Sequence, residues 1–327
     1  MMFKRPPLRP ACRIVNAVGM LGLIFIGACS PAGETADPSR TETEIVEQGD
    51  KTARDLVIPA VWTTSALGGD IHDIAFAGGS NPIMAAVLGD GLLQLFDLNA
   101  EALEAAAPLD LIAIADGQPL SLDNTALTAF PGIDARRSIN IYVYNPTLGA
   151  PVALPLLTEA NAIGLCAAAA EGYEAVFQLA YWTPDAPNKL IQGHILRGAD
   201  NFEWSEHARS TIDGPIQTCL IGENGTPQAR QDGTAIATIS SSSDIKTLSL
   251  SDSGMMRLVN GESTPVPITI REGITVRVPD SISAMAALSD VRFGGYPNGV
   301  IAIGGDTDDQ DFRIVLVEPR PLFDPEP

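Results

Sequence analysis

The chain is poor in basic side chains. Its 327 residues hold 20 lysines and arginines against 40 aspartates and glutamates. Phosphate backbones are bound through clustered Lys and Arg, so nucleic acid is excluded as a partner class. The surplus negative charge suits solubility or cation binding, and alone it shows neither. Histidine is scarcer still: His72, His194 and His207 are the only three. They are widely spaced, and each reads as a turn or rim residue rather than a metal ligand. No Gly-x-Ser-x-Gly elbow surrounds the serines at 240–243, which leaves serine-hydrolase chemistry without support. Convincing helical periodicity is missing from most of the chain.

What is present at the start is a leader. Lys4, Arg5, Arg9 and Arg13 come before any acidic residue, and an apolar run follows from Ala17 to Ile26. That run is too short to cross a bilayer comfortably as a permanent helix and has the flanks of a secretory signal. Ile26-Gly27-Ala28-Cys29 resembles the bacterial lipobox, which predicts a signal peptide over 1–28 and lipid attachment to the Cys29 thiol. A plain signal peptide with a chance cysteine is the alternative. Ser30 stands where inner-membrane retention calls for aspartate, so the expected location is the periplasmic face of the outer membrane. The membrane is then a partner through the lipid anchor, which multiple acyl chains make durable. Residues 29–54 are rich in Thr, Glu, Asp, Ser, Pro and Gly and read as a disordered tether. Losing the leader's four basic residues takes the net charge from −20 to −24.

Cysteines are few, and their arithmetic is informative. Cys12 leaves with the leader and Cys29 carries lipid, so Cys166 and Cys219 remain. In an oxidising periplasm two thiols favour one disulfide; two separate buried thiols or half a metal site are the alternatives.

Residues 55–320 form the expected folded part, with 321–327 as a tail. Short apolar or alternating runs recur: IHDIAFAG, PIMAAVL, LLQLFDL, SINIYVYN, EAVFQLAYW, LIQGHIL, TAIATIS, IKTLSLS, GITVRVP, GVIAIGG and FRIVLVE. Glycine-rich turns separate them, as at Gly78-Gly79, Gly89-Asp90-Gly91, Asn224-Gly225, Asp232-Gly233 and Asn260-Gly261. This is the pattern of many short antiparallel strands joined by hairpins, an all-β chain. The alanine-rich NAEALEAAAP has room for one or two helical turns at most. Tyr181, Trp182, Phe202 and Trp204 sit in or beside strand-like runs and read as packing residues. HDIAFAGGSNPIMAAVLGDG, from His72, aligns with SDVRFGGYPNGVIAIGGDTDD, from Ser289. The offset equals five units of the ~40–45 residues that a four-stranded propeller blade takes. Six blades therefore fit, and radial closure hides strand edges. A pair of β-sandwiches is the alternative.

Four stretches then resemble the β-propeller phytases, secreted calcium-dependent enzymes that take phosphate from inositol phosphates. They are DIHDIAFAGGSNPIMAAVLGDGLLQLFDLNAE, AIGLCAAAAEGYEAVFQLAYW, IQTCLIGENG and YPNGVIAIGGDTDDQDFRIVLVEP. The resemblance implies a six-bladed propeller, pairing of Cys166 with Cys219 between neighbouring blades, and calcium held by Asp70, Asp73, Gln217 and Glu223. It also exposes departures. His72 replaces one of the family's paired aspartates, and Gln217 replaces a glutamate. Ile221-Gly222-Glu223-Asn224 keeps one carboxylate of an acidic run, and serines at 240–243 stand where a glutamate pair is expected. Leu88-Gly89-Asp90 takes the place of a lysine, and Arg136 and Arg137 do not match the phosphate-binding arginine. A charge-assisted contact contributes about 1.5–3 kcal/mol, so several losses abolish affinity for a polyanion. The expectation is a degenerate propeller for binding or scaffolding, with a calcium-dependent phosphohydrolase as alternative. The acidic run from Asp306 to Asp311 reads as a solvated hairpin, since it lacks the Gly and final Glu of a helical calcium loop; a structural calcium at that turn is the alternative.

Overall fold

Strand-length alternation, broken every few residues by Gly, Asp and Asn, folds into small sheets arranged around an axis. The computed structural model describes residues 56–324, except 123–124, 148, 171–173, 199–200, 223, 242–243, 260–263, 290–295 and 308–310. The expected leader, Cys29, the tether and Glu223 lie outside the described residues.

The first blade runs outward through Ile71–Ala77, Ile83–Leu88, Leu92–Phe96 and Ala107–Pro108. The second contains Leu111–Ile114, Thr125–Asp134, Ile139–Tyr144 and Val152–Leu157, with Gln118–Leu122 folded back onto Thr125–Asp134. The third is Gly164–Ala169, Ala175–Thr183, Ala186–Arg197 and Phe202–Thr211. The fourth, among the described residues, has only Thr218–Ile221 and Pro227–Arg230. The fifth is Ala235–Ser240, Ile245–Leu250, Met256–Val259 and Val266–Arg271. The sixth is Ser281–Leu288, Val300–Asp306 and Phe312–Val317, completed on its outer edge by Leu56–Thr63 from the start of the described chain.

Each innermost strand neighbours the next, and the sixth returns to the first. That closed cycle makes the chain a six-bladed β-propeller. Closure is reinforced by Ser283, whose Oγ donates to the Ile71 carbonyl across the sixth and first blades at 2.7 Å. Leu56–Thr63 does double duty. Its first half runs parallel to Val266–Arg271 of the fifth blade, and its second half runs antiparallel to Phe312–Val317 of the sixth, with a bulge between Ala60 and Trp62.

The apolar cores lie between blades. Ala75, Val87, Leu95, Phe130 and Tyr142 fill the first-to-second interface, and Ile133, Ile141, Phe177 and Ile195 the second-to-third. Ile58, Leu248, Ile303 and Val317 join the fifth to the sixth, while Phe76, Met84, Ile314 and Leu316 join the sixth to the first. The third-to-fourth interface is smaller and is built on Trp182, Leu190, Ile216 and the cystine.

Three expectations are corrected. GITVRVP is no strand: Gly273 to Val276 close a turn (N···O 3.1 Å), and Ile274 is fully exposed. The edge it would have joined, Val266–Arg271, is already paired with Leu56–Pro59. NAEALEAAAP makes no helical turn; Asp97 caps a bend by accepting from the backbone N–H of Asn99 and Glu101, and the segment ends in the short strand Ala107–Pro108. The internal alignment holds for Ile83–Leu88 and Val300–Asp306, the second strands of blades five steps apart, but not for the strands before them. Ile71–Ala77 precedes its partner by five residues, 78–82, whereas Ser281–Leu288 precedes its own by eleven, 289–299.

Candidate functional site

Innermost strands from all six blades line a central channel of about 540 Å³. Much of its wall is alanine, because the strands crowd together at the axis and leave little room for longer side chains. Its ionisable lining, among the described residues, is His72, Asp73 and Asp116, joined by Gln217, Thr218 and Ser289. Thr218 is buried, and its hydroxyl has no hydrogen-bond partner among the described residues.

Asp73 stands on Ile71–Ala77, and Asp116 follows Leu111–Ile114 on the next blade. They clasp the two blades reciprocally. Asp73 accepts from the Ile114 N–H through Oδ2 and from the Ile74 N–H through Oδ1, both at 2.9 Å. Asp116 accepts from the Phe76 N–H at 3.0 Å. Inner strands of adjacent blades do not form a continuous ladder, so these carboxylates satisfy amides that would otherwise lack a partner. Desolvation by the enclosing strands pushes Asp73 up to about 7, against the pull of its two backbone N–H bonds and with a further push from the Asp116 charge. The same desolvation raises Asp116 to about 6. By surface area Asp73 is half-buried and Asp116 exposed, because the channel admits solvent to groups that protein surrounds. The desolvation is therefore partial.

Asp70 is exposed and does not line the channel, so it does not join Asp73; Gln217 does line it, on the fourth blade. Glu223 lies outside the described residues. Among the described residues no three His, Cys, Asp or Glu side chains converge as a metal cage. A hard cation takes six to eight oxygens, and both Asp73 oxygens already accept backbone N–H groups. The described set therefore fits calcium poorly. Arg136 and Arg137 sit on the turn after Thr125–Asp134, where Asp134 accepts from the Arg136 and Ser138 N–H groups, and neither arginine lines the channel.

Cys166 and Cys219 form a disulfide between the innermost strands of the third and fourth blades, with Cα atoms 5.6 Å apart. Tyr181, Trp182 and Phe202 are buried, and Tyr181 meets Trp204 edge-on at 5.9 Å, so these aromatics are packing residues. The histidine reading is corrected. His194 and His207 lie within strands of the third blade and stack with ring centroids 4.8 Å apart. Burial and the charge of His207 lower the proton affinity of His194.

Sequence reasoning missed Asp116 and the histidine pair. Asp116-Gly117 ends an alternating run, LIAIADG, much as a strand-terminal Asp-Gly turn does, and that is the signal that could have marked it.

No family model matches the chain, and no curated protein matches it. Among solved structures, it resembles AofleA from Arthrobotrys oligospora at 12% identity and TM-score 0.47, covering 78% of this chain and 86% of that one. It resembles the six-bladed fungal lectin of Aleuria aurantia at 12% identity and TM-score 0.46, covering 78% and 97%. It resembles the GH43_1 enzyme of Xanthomonas citri, solved with xylose, at 11% identity and TM-score 0.43, covering 79% and 89%.

Proposed function

We propose that the chain is a lipid-anchored envelope protein whose propeller is a binding or scaffold module. Its expected place is the periplasmic face of the outer membrane, held there by Cys29. The observation that carries the binding reading is the use made of Asp73 and Asp116: their oxygens hold backbone N–H groups across two blades. Carboxylates committed in this way are poor ligands for a catalytic ion, and their charge repels a polyphosphorylated substrate from the channel. A cavity of about 540 Å³ has the volume of a small-molecule site, and an acidic wall selects neutral or cationic occupants.

The test is calcium-dependent phosphate release from inositol hexakisphosphate by the purified protein. No release above the uncatalysed rate is expected; turnover that calcium switches on and Asp73→Asn removes would overturn this reading. A calcium-dependent phosphohydrolase is the second reading, favoured by Asp73 and Gln217 both lining the channel. It predicts saturable calcium binding by calorimetry. The anchor is tested separately: labelled palmitate incorporates into the wild-type chain and not into Cys29→Ser.

A further inference from the structure

The third blade carries two histidines that neither the channel nor the blade cores use. His194 stands on Ala186–Arg197 and His207 on the neighbouring Phe202–Thr211. Their meeting depends on a bulge. Gly193 faces Glu206, while Gln192 faces Ala208, so His207 is the extra residue. A bulge sets two residues against one, and here His207 and Ala208 both oppose Gln192, on the face that carries His194.

The other face of these strands is occupied. Ile191, Ile195, Phe202 and Trp204 pack with the second blade, and Glu206 is bound to Arg209 at 2.6 Å. The histidine face therefore turns toward the fourth blade, which stops at its second strand among the described residues. His207 is exposed and His194 half-buried. Gln192 beside them donates to Ser210 at 2.8 Å.

We propose that His194 and His207 form a two-histidine site for a first-row transition-metal ion, with copper(II) held more tightly than nickel or zinc. Imidazole nitrogen suits these borderline ions, and the order follows their general preference for nitrogen ligands. The spacing is right for a shared ion. A nitrogen–metal bond of about 2.0–2.1 Å places the ion ~3.2 Å from each ring centre. Two such arms close across the observed 4.8 Å at an angle of about 100°. The rings stack with 27° between their planes, so both must turn about their Cβ–Cγ bonds to bring a nitrogen toward that point, and the open side of the site leaves the remaining positions to water.

The experiment titrates the full chain, first stripped of metal by chelator, with copper(II), nickel(II) and zinc(II) chlorides. One saturable equivalent of copper is expected for the wild type and for His72→Ala. His194→Ala and His207→Gln should each weaken it by about tenfold or more. Binding that survives both changes, or that is lost in His72→Ala, overturns the proposal, as does the absence of saturable binding. His207 is exposed, so its variant tests the site even if His194→Ala unfolds. Electron paramagnetic resonance of the wild-type copper complex gives a readout independent of any variant: coupling to two nitrogens is expected, and an oxygen-only spectrum overturns the proposal.

Discussion

At the residue scale the Asp73–Asp116 clasp has a pH signature. Both carboxyls are raised in the folded protein, to about 7 and about 6, above the ordinary value near 3.9. The folded state thus holds protons more tightly than the unfolded chain. The stabilisation is fully present below about pH 4 and is lost as pH rises through 6 and 7. Asp116→Asn keeps an oxygen for the Phe76 N–H and discards the charge. Its melting temperature should exceed that of the wild type at pH 8 and converge with it only below about pH 4; parallel melting curves across that range refute the clasp as a titrating device. Asp73 was legible in the sequence because it sits in a motif. Asp116 was not, because its meaning comes from amides on another blade, 40 residues away. Gly164 is a second such case. It lies opposite Trp182, and any Cβ there would collide with the indole. Gly164→Ala should cost about 1–3 kcal/mol through overpacking, read as a lower denaturation midpoint with unchanged slope.

At the element scale, strands were legible where alternation and a flanking turn agreed, as in Ile83–Leu88 and Phe312–Val317. They were misread where pairing decides. GITVRVP alternates as well as its neighbours, but no free edge awaits it. Leu56–Thr63 is interrupted by Pro59 and a bulge, yet it pairs on both sides. The fourth blade is the weak element, because its two short strands among the described residues offer little surface to bury. Its cystine closes a span of 53 residues, a loop whose constraint on the unfolded chain is worth about 4 kcal/mol. Cys166→Ser with Cys219→Ser should therefore lower stability by about 2–4 kcal/mol. Hydrogen exchange should show the loss first at Thr218–Ile221 and Pro227–Arg230; uniform loss across all blades would place the fourth within the common cooperative unit.

At the scale of the whole molecule, closure is the property that length and strand count imply but no local pattern encodes. A six-unit ring could be counted from the 327-residue sequence, but not which strand would seal it. The seal is made by the first described strand, which lies more than 200 residues from both of its partners. Ile58 on that strand is fully buried among Ile268, Val315 and Val317, at the seam of the fifth and sixth blades. Because contacts so distant in sequence are costly to assemble, the ring should form late and come apart as a unit. Ile58→Ala removes buried methyl groups at the seam and should cost about 2–4 kcal/mol, chiefly by speeding unfolding. A chain beginning at Thr64 lacks the seal and leaves two outer strands, Val266–Arg271 and Phe312–Val317, unpaired along one edge. It should aggregate or melt without a sharp transition. A cooperative melt near the wild-type temperature would mean that the inner strands alone hold the ring, and that Leu56–Thr63 merely decorates it.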